Sequence, residues 1–315
     1  MTTHRSYAVL FIVFALFSPG SLQAAASENG GRYDAISGVV GTLSSVGSDT
    51  LASLMSLWGQ QFKRLYPSVT VQIQTAGSGT AAPALTEGTA TLGPMSRPMK
   101  PAEIAAFRQR YGYPPTAVPV AVDALSLFVH RDNPIESMDL QAVDAFFSST
   151  QRCGGRASIT TWGQLGLTGS WKNRNIALIG RNSASGTYGF FKSSALCDGD
   201  FRDNVNEQLG SAAVVQAVSV SLGGLGYSGA GFLNASVRPV ALVSGERGGT
   251  GQPARLARDL FIYVNKPPGA DLRAVEREFL RFVLSDEGQH IATRAGYESI
   301  SGSRRDAVMG TLGLE

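Results

Sequence analysis

Histidine, cysteine and charged residues are all scarce in this chain of 315 residues. It contains three histidines and two cysteines, and only 16% of its residues are charged. His130 and His290 each lack a second histidine or cysteine at a spacing that would suit a metal site. The sequence therefore predicts neither a bound metal nor another cofactor.

Blocks of basic residues and long apolar runs are missing as well. The net charge of +3 and the pI of about 8.9 come from lysines and arginines that are scattered along the chain. This distribution argues against a nucleic-acid or membrane-surface patch. After the N-terminal segment, no apolar stretch approaches the length needed to cross a bilayer. The composition, 43% hydrophobic, fits a globular protein of one large or two modest domains.

Motifs of nucleotide-dependent and hydrolytic enzymes are absent too. The sequence has no G-x-x-x-x-G-K-[ST] and no G-x-S-x-G segment, and neither histidine after the N-terminal segment lies in a triad-like context. Residues 224–229 match G-x-G-x-x-G but do not lie between a clear strand and a helix. They are interpreted as a glycine-rich strand connection. The chain is therefore predicted not to be an enzyme.

The N-terminus has the pattern of a secretory signal peptide. His4 and Arg5 precede an apolar run at 7–17, which is too short to span a bilayer, and small residues follow at 24–26. Residues 1–26 are predicted to be removed, and the mature protein to be exported in soluble form. No cysteine lies near the cleavage point, so a lipid anchor is not expected.

The predicted export bears on the oxidation state of the two cysteines. Cys153 and Cys197 both lie in the mature chain, and an oxidising compartment favours a disulfide between them. The alternative is a pair of buried free thiols. The disulfide is the preferred interpretation, with a structural role within one domain.

Strands and helices alternate along the first part of the mature chain. Apolar positions predict strands at 43–46, 69–73 and 90–95, and longer helices at 51–65 and 101–111. Polar loops rich in Gly, Ser and Thr separate these elements. The order predicts an α/β fold with an open, mostly parallel sheet, whose ligands bind beyond the carboxyl ends of the strands.

Two further expectations concern the middle and the end of the chain. Residues 118–130 form an apolar run that is broken by Asp123, which predicts two strands with a kink between them. The tail beyond Ser303 is predicted to be irregular.

Residues 181–187, RNSASGT, place an arginine beside three hydroxyl side chains and a glycine, before a predicted helix at 188–196. Helix starts expose unpaired N–H groups that attract anions, and the arginine fork fits a tetrahedral oxyanion. The other interpretation is an ordinary Ser/Thr helix cap. The loops at 46–51 and 76–80 have similar chemistry. Together they favour one ligand bound between two α/β lobes that close by a hinge.

Stretches from nearly the whole mature chain carry a resemblance to one family. They are VGSDTL (46–51), AGSGTAAPALTEG (76–88), LGPMSRPM (92–99), PVAVDALSLFVHRDNP (119–134), ITTWGQLG (159–166), GRNSASGTYGFF (180–191), ARDLFIYVN (257–265) and FVLSDEGQHIATRAGY (282–297). In these stretches the chain resembles the PstS-type periplasmic phosphate-binding proteins, which are the substrate-binding components of phosphate ABC transporters.

The resemblance implies the type II periplasmic-binding-protein fold, with two α/β lobes and a ligand cleft between them. Lobe one would comprise residues 38–121 plus 239–315, and lobe two residues 122–238. The implied function is to bind inorganic phosphate in the periplasm and to deliver it to an ABC-type membrane permease. The protein is expected to act as a monomer and to bind no nucleic acid.

The resemblance also implies a ligand set of hydroxyls, helix-start amides and one cation, because a buried anion needs many donors. The matched motifs, with Ser48 from the first loop, give Ser48, Thr50, Leu51, Ser78, Arg181, Ser185, Gly186 and Thr187. Two carboxylates of well-studied members are replaced, by Ser96 in the third loop and by Ser183 beside the arginine. Such a carboxylate accepts the proton of phosphate and repels sulfate, so its replacement removes one basis of selectivity.

The predicted site also includes Ser96 and three charged residues, each with two interpretations. Asp49 either accepts the ligand proton in place of the missing carboxylate or caps a helix. Arg97 is either a second ligand cation or the partner of Asp49 or Asp123. Asp123 either lies at the base of the cleft, near a crossover between lobes, or is a structural turn residue.

Other functions are carried as alternatives. The chain could bind another oxyanion, namely sulfate, molybdate or arsenate, or be a sensory or adhesive relative with the same fold. A phosphate-ester hydrolase is the less favoured reading, because no histidine is placed to act as a base.

Overall fold

The computed structural model describes residues 33–244 and 254–314 of the chain. The predicted signal peptide at 1–26 lies outside the described residues. Within them, each helix is too short or too polar to cross a membrane.

The described strands and helices follow one another along nearly the whole chain. The strands are β1 (Gly41–Gly47), β2 (Val69–Thr75), β3 (Gly93–Met95), β4 (Thr116–His130), β5 (Ser137–Asp139), β6 (Ala177–Arg181), β7 (Asn206–Gln208), β8 (Gly224–Gly229), β9 (Val237–Val243) and β10 (Leu256–Val264). The helices are α1 (Ala52–Leu65), α2 (Ala81–Thr86), α3 (Pro101–Tyr111), α4 (Leu140–Phe147), α5 (Gly186–Ala195), α6 (Ser211–Ser219), α7 (Ala274–Leu284), α8 (Asp286–Arg294) and α9 (Gly302–Leu312).

The sheets are mixed, so the expectation of a mostly parallel sheet is wrong. β1 and β2 form a parallel pair, and the larger sheet has the strand order β3-β10-β4-β8-β6-β7, with β9 pairing with β4 and β5. β4 pairs antiparallel with β10, β8 and β9, whereas β6 pairs parallel with β7 and β8. The hydrophobic pattern indicates where strands lie, but it does not encode the direction in which they pair.

β4 is a single strand of 15 residues rather than the two that were predicted, and its register with β10 shifts by one residue at Val120, close to Asp123. Asp123 stands directly opposite Arg258 of β10 in the antiparallel register. The carboxylate therefore has a partner of opposite charge on the next strand, and the ladder continues past it. A buried charge interrupts the apolar pattern without interrupting the strand.

The end of the chain is helical, which corrects the prediction of an irregular tail. Ser301 caps α9 by accepting a hydrogen bond from Arg304 N–H, and Gly313 ends the helix in the left-handed conformation. Leu312 and Leu314 are buried against the neighbouring core. This packing stabilises the helical conformation of a segment whose own hydrophobic pattern is weak.

The buried apolar side chains fall into two regions of the chain. One core is built from residues between 33 and 121 and between 260 and 314, and the other from residues between 125 and 240. β4 contributes to both, because Ala121 packs in the first core and Leu125 in the second. The lobe boundary predicted at 121/122 coincides with this division of the core, whereas Val240 packs in the second core, beyond the boundary predicted at 238/239. The two lobes are taken up below as a proposal.

The predicted disulfide between Cys153 and Cys197 is confirmed, with 5.2 Å between the Cα atoms. It joins the segment after α4 to the end of α5. Replacing both cysteines with serine is expected to lower the free energy of unfolding, because a cross-link across 44 residues restricts the unfolded chain by about 4 kcal/mol. Urea unfolding of the double variant against the oxidised wild-type protein measures this loss. A change below about 1 kcal/mol would contradict the expectation.

Candidate functional site

Three polar loops meet at the carboxyl ends of β1, β2 and β3. They lie side by side because their backbones are hydrogen-bonded to one another. Ser48 N–H donates to Pro94 O at 2.7 Å, and Gly77 N–H donates to Gly47 O at 3.0 Å. The loops thereby bring Ser48, Ser78 and Ser96, each fully buried, to one place.

The hydroxyl groups of these three serines form a connected cluster. Ser96 N–H donates to Ser78 Oγ at 3.0 Å, and the two hydroxyl oxygens lie 3.2 Å apart. Ser48 Oγ lies 3.2 Å from Ser96 Oγ and accepts from Thr50 N–H at 3.2 Å. Ser96, which stands where well-studied family members carry a carboxylate, therefore offers a small hydroxyl that can both donate and accept.

The start of α5 closes over this cluster from the opposite side. Gly186 sits so close that a Cβ atom added to it would lie 2.4 Å from both Ser78 Oγ and Ser96 Oγ. Thr187 Oγ1 lies 3.0 Å from Thr50 Oγ1, and Gly79 N–H donates to the carbonyl of residue 184 at 3.0 Å. The sequence region 181–187 thus contacts the first three loops, as the similar chemistry of these segments predicts.

Ser185 is the N-cap of α5, so the cap interpretation of this residue holds. Its hydroxyl accepts from the N–H groups of Thr187 at 3.0 Å and Tyr188 at 3.4 Å. These two amides are therefore used inside the helix start. The cap fixes the position of Thr187, whose own hydroxyl faces Thr50.

Arg181 ends β6 and has a side chain with no exposed surface. Its guanidinium donates to Ser211 Oγ (3.0 Å), Gln208 O (3.3 Å) and Leu209 O (3.1 Å). Its backbone N–H donates to Tyr227 OH at 3.3 Å. Ser183, which replaces a family carboxylate, is thus not needed to hold the arginine, because a neighbouring loop does so.

Asp49 reaches Arg181 from the first loop. The distance from Asp49 Oδ2 to Arg181 Nη2 is 2.7 Å, an ion-pair separation, although neither oxygen of Asp49 accepts a well-oriented hydrogen bond. Asp49 is therefore not a helix N-cap in this structure. Its carboxylate is the group from the first three loops that faces the arginine.

Asp123, Arg258 and Thr187 form a second polar chain at the same place. Arg258 donates to Asp123 Oδ2 through Nε at 3.2 Å and through Nη2 at 2.9 Å, and Nη2 also donates to Thr187 Oγ1 at 2.7 Å. Burial raises the pKa of the Asp123 carboxyl, while the charge and hydrogen bonds of Arg258 act in the opposite direction. Asp123 thus lies where β4 passes between the cores, with Arg258 between it and Thr187.

Arg97 has a different partner from either of those predicted. It makes a two-pronged pair with Glu103 of α3, with N–O distances of 2.8 and 2.7 Å, and also donates to Pro98 O. Asp49 pairs instead with Arg181, and Asp123 pairs with Arg258. The expected pairing of Arg97 with either aspartate is therefore wrong.

Two residues at the site were missed by the sequence analysis, namely Arg258 and Ser211. The signal for Arg258 was present, since it occupies the same side of β10 as the buried Leu260 and Ile262. A charged residue at an inward position of an apolar strand requires a buried partner. Ser211 offered no such signal, because nothing in the sequence relates the start of α6 to the end of β6.

The assembled groups suit an anion more than a metal. Five hydroxyl side chains and the guanidinium groups of Arg181 and Arg258 lie there, and no group of three or more His, Cys, Asp or Glu residues in the described part of the chain could hold a metal ion. Hydroxyls and arginine are donors to oxyanions, and their burial strengthens each charge-assisted bond. The geometry supports capture of a small, multiply hydrogen-bonding anion.

Comparison with known proteins shows which family the sequence matches. The sequence profile of the PBP superfamily domain matches residues 34–287. The chain is 52% identical to the phosphate-binding protein PstS of Pseudomonas aeruginosa, over 100% of both chains.

Solved structures show the same fold at low identity. A substrate-binding protein of Clostridium perfringens attributed to phosphate ABC transport, crystallised with phosphate, has a TM-score of 0.69 and 22% identity, covering 83% of this chain and 100% of its own. An ABC-type phosphate transport receptor of Vibrio cholerae has a TM-score of 0.61 and 20% identity, covering 82% and 100%. At such identities these likenesses support the fold alone.

Proposed function

The chain belongs to the PBP superfamily and, within it, to the PstS phosphate-binding proteins, and from this premise we propose that it binds inorganic phosphate and delivers it to an ABC-type permease. The observation that carries the proposal is that the start of α5 brings Thr187 against the buried serines Ser78 and Ser96, while the first loop reaches the buried Arg181 through Asp49. Phosphate presents four oxygens, and this set offers donors from several directions. The protein is proposed to work as a monomer.

The ligand is proposed to bind between the serine cluster and the start of α5. Ser48, Thr50, Ser78 and Ser96 would donate from one side, with the Leu51 N–H, and Arg181, Gly186 and Thr187 from the other. Asp49 now faces Arg181 and would lie beside the bound anion, where it is placed to accept a proton from phosphate. Ser185 acts on the ligand through the helix start that it caps.

The two cores are proposed to be two lobes that open and close around the ligand. Residues 38–121 plus 239–315 would form one lobe, and residues 122–238 the other. The division of the buried core at 121–125 supports this boundary. The contacts of Thr50 with Thr187 and of Asp49 with Arg181 would join the lobes when they close.

The same proposal includes export of the protein to the periplasm and the absence of catalysis. The signal-peptide pattern at 1–26 supports delivery to the periplasm, and residues 1–26 would be absent from the working protein. No turnover is proposed, because the chemistry required is reversible capture, and hydrolysis of ATP would take place on a separate transporter subunit.

A fully ionised oxyanion such as sulfate is the second candidate ligand. The observation in its favour is the hydroxyl of Ser96 at the place of the family carboxylate. The carboxylates of Asp49 and Asp123 are nearby, and each is paired with an arginine, so repulsion of sulfate depends on these two paired groups.

Titration calorimetry on the mature protein, freed of bound anion, tests both candidates. We expect one phosphate per chain with a Kd below ~10 µM, a range common for tight small-ligand sites. Sulfate, molybdate and arsenate serve as competitors, at pH 6 and pH 8. Absence of heat with every oxyanion would refute the proposal, and tighter binding of sulfate than of phosphate would replace phosphate with the second candidate.

A further inference from the structure

Arg258 lies at the junction of the two cores and contacts groups from both. Its side chain is 4% exposed, and it bridges Asp123 of β4 and Thr187 of α5 through Nη2. The remaining terminal nitrogen, Nη1, is buried and has no hydrogen-bond partner among the described residues. A buried guanidinium N–H without an acceptor is unfavourable, so this nitrogen retains the capacity to bind one more oxygen.

The bond from Arg258 also determines how the Thr187 hydroxyl is used. A hydroxyl has one hydrogen to donate and two lone pairs to accept, whereas guanidinium only donates. Since Nη2 occupies one lone pair of Thr187 Oγ1, the Thr187 hydrogen must be directed elsewhere. Its neighbours are Thr50 Oγ1 at 3.0 Å in this structure and an anion when one is bound. The bond from Arg258 therefore leaves the Thr187 hydrogen available for donation to a ligand.

Arg258 is held firmly enough to act in this way. Asp123 Oδ2 accepts from two of its nitrogens, and the Phe190 ring lies 5.2 Å from the guanidinium carbon. Both contacts come from elements that line the predicted site, and the pair stands in register on neighbouring strands. An arginine so fixed loses little conformational freedom when it binds an oxyanion.

We propose that Arg258 is a second ligand-directed cation of the oxyanion site, complementary to Arg181, and that Asp123 is the positioning residue that holds it. This inference rests on the proposed function. It gives Asp123 a role that does not require contact with the ligand. It also supplies a second positive charge to balance a dianion. This charge comes from β10, whereas the charge of Arg181 comes from β6.

The test compares five variants of the mature protein, namely R258M, R258K, D123N, the double variant D123N/R258M, and R304M as a matched control. Arg304 makes a two-pronged pair with Asp259, the residue next to Arg258, but its side chain is 39% exposed on the surface. Phosphate affinity is measured by calorimetry, and stability by urea unfolding without phosphate.

We expect R258M to weaken phosphate binding by at least ~30-fold, because a buried charge-assisted bond is lost and the Thr187 hydrogen is no longer directed. R258K should recover part of the affinity, D123N should lose less than R258M, and R304M should bind as the wild-type protein does. R258M alone leaves the Asp123 carboxylate buried without a partner and is expected to unfold more easily.

The double variant separates a ligand role from a structural role. Because D123N/R258M removes both charges, its stability should recover relative to R258M while its phosphate affinity stays low. Recovery of affinity together with stability would overturn the inference and leave Arg258 a structural residue. If the wild-type protein bound no oxyanion at all, the proposed function itself would fail, whereas wild-type binding with an unaffected R258M would refute only the role of Arg258.

Discussion

Replacing Arg181 with methionine is expected to weaken phosphate binding by at least ~100-fold, the effect of removing a buried, charge-assisted partner. The guanidinium is fully buried and held by Ser211, Gln208 and Leu209, so it is oriented before any ligand arrives. Methionine has a similar length but offers no donor and no charge. Calorimetric titration with phosphate, at low and at moderate salt, measures the loss.

Asp49 complicates this variant, because in R181M its carboxylate would face the ligand without a counterion. The double variant R181M/D49N removes that repulsion. We expect it to regain only a small part of the lost affinity, since the main loss is that of the guanidinium donors. If R181M/D49N bound phosphate as the wild-type protein does, Arg181 would serve only to neutralise Asp49, and its assignment as a ligand would be wrong.

Replacing Gly186 with alanine is the second change for which a loss of ~100-fold or more in phosphate affinity is expected, because it disturbs several buried donors together. The added Cβ would lie 2.4 Å from both Ser78 Oγ and Ser96 Oγ, and 3.1 Å from Ser78 Cβ. No real contact of this kind is that short, so the Ser78 and Ser96 hydroxyls must rotate away or α5 must withdraw from the serine cluster. Either shift takes donors on one side of the site out of reach of an anion held by the other.

Gly189 provides a matched control in the same helix. A Cβ at Gly189 would find Arg97 Cδ at 3.6 Å, an ordinary contact, and alanine there should raise helix stability slightly. Calorimetry should show Gly189→Ala binding phosphate within ~3-fold of the wild-type protein. X-ray scattering with and without phosphate would show whether Gly186→Ala still closes. Equal affinities of the two alanine variants would contradict the placement of Gly186 in the site.

The elements around the site were predictable because their signals are local. The helix at 101–111 has the predicted bounds, and the strand at 69–73 and the helix at 51–65 differ only at their ends from β2 and α1. Hydrophobic spacing, proline and cap residues act within a few positions of one another. The polar loops after β1 and β2 could be placed together because ligand loops follow strands in α/β folds.

The partner that each charged side chain selects was not predictable in the same way. The partner of Asp123 is Arg258, which is 135 positions away, and the partner of Arg97 proved to be Glu103, in the helix that follows it. Charge alone offers many partners for each of these side chains, and only the register of strands or the packing of a helix selects one. The antiparallel direction of β4 against β10 has the same origin.

The position of Asp123 on β4 has a mechanical consequence. If the two cores are the two proposed lobes, we expect them to open by a rotation near residues 121–125, where β4 passes from one core to the other. Atoms close to such an axis move least. We therefore expect the Asp123–Arg258 pair to keep its geometry through each cycle of uptake and release, while Asp49 and Arg181, which belong to different proposed lobes, separate and meet again. Of the two cations proposed for the site, Arg258 would stay in place during the cycle, and Arg181 would move towards and away from the first loop.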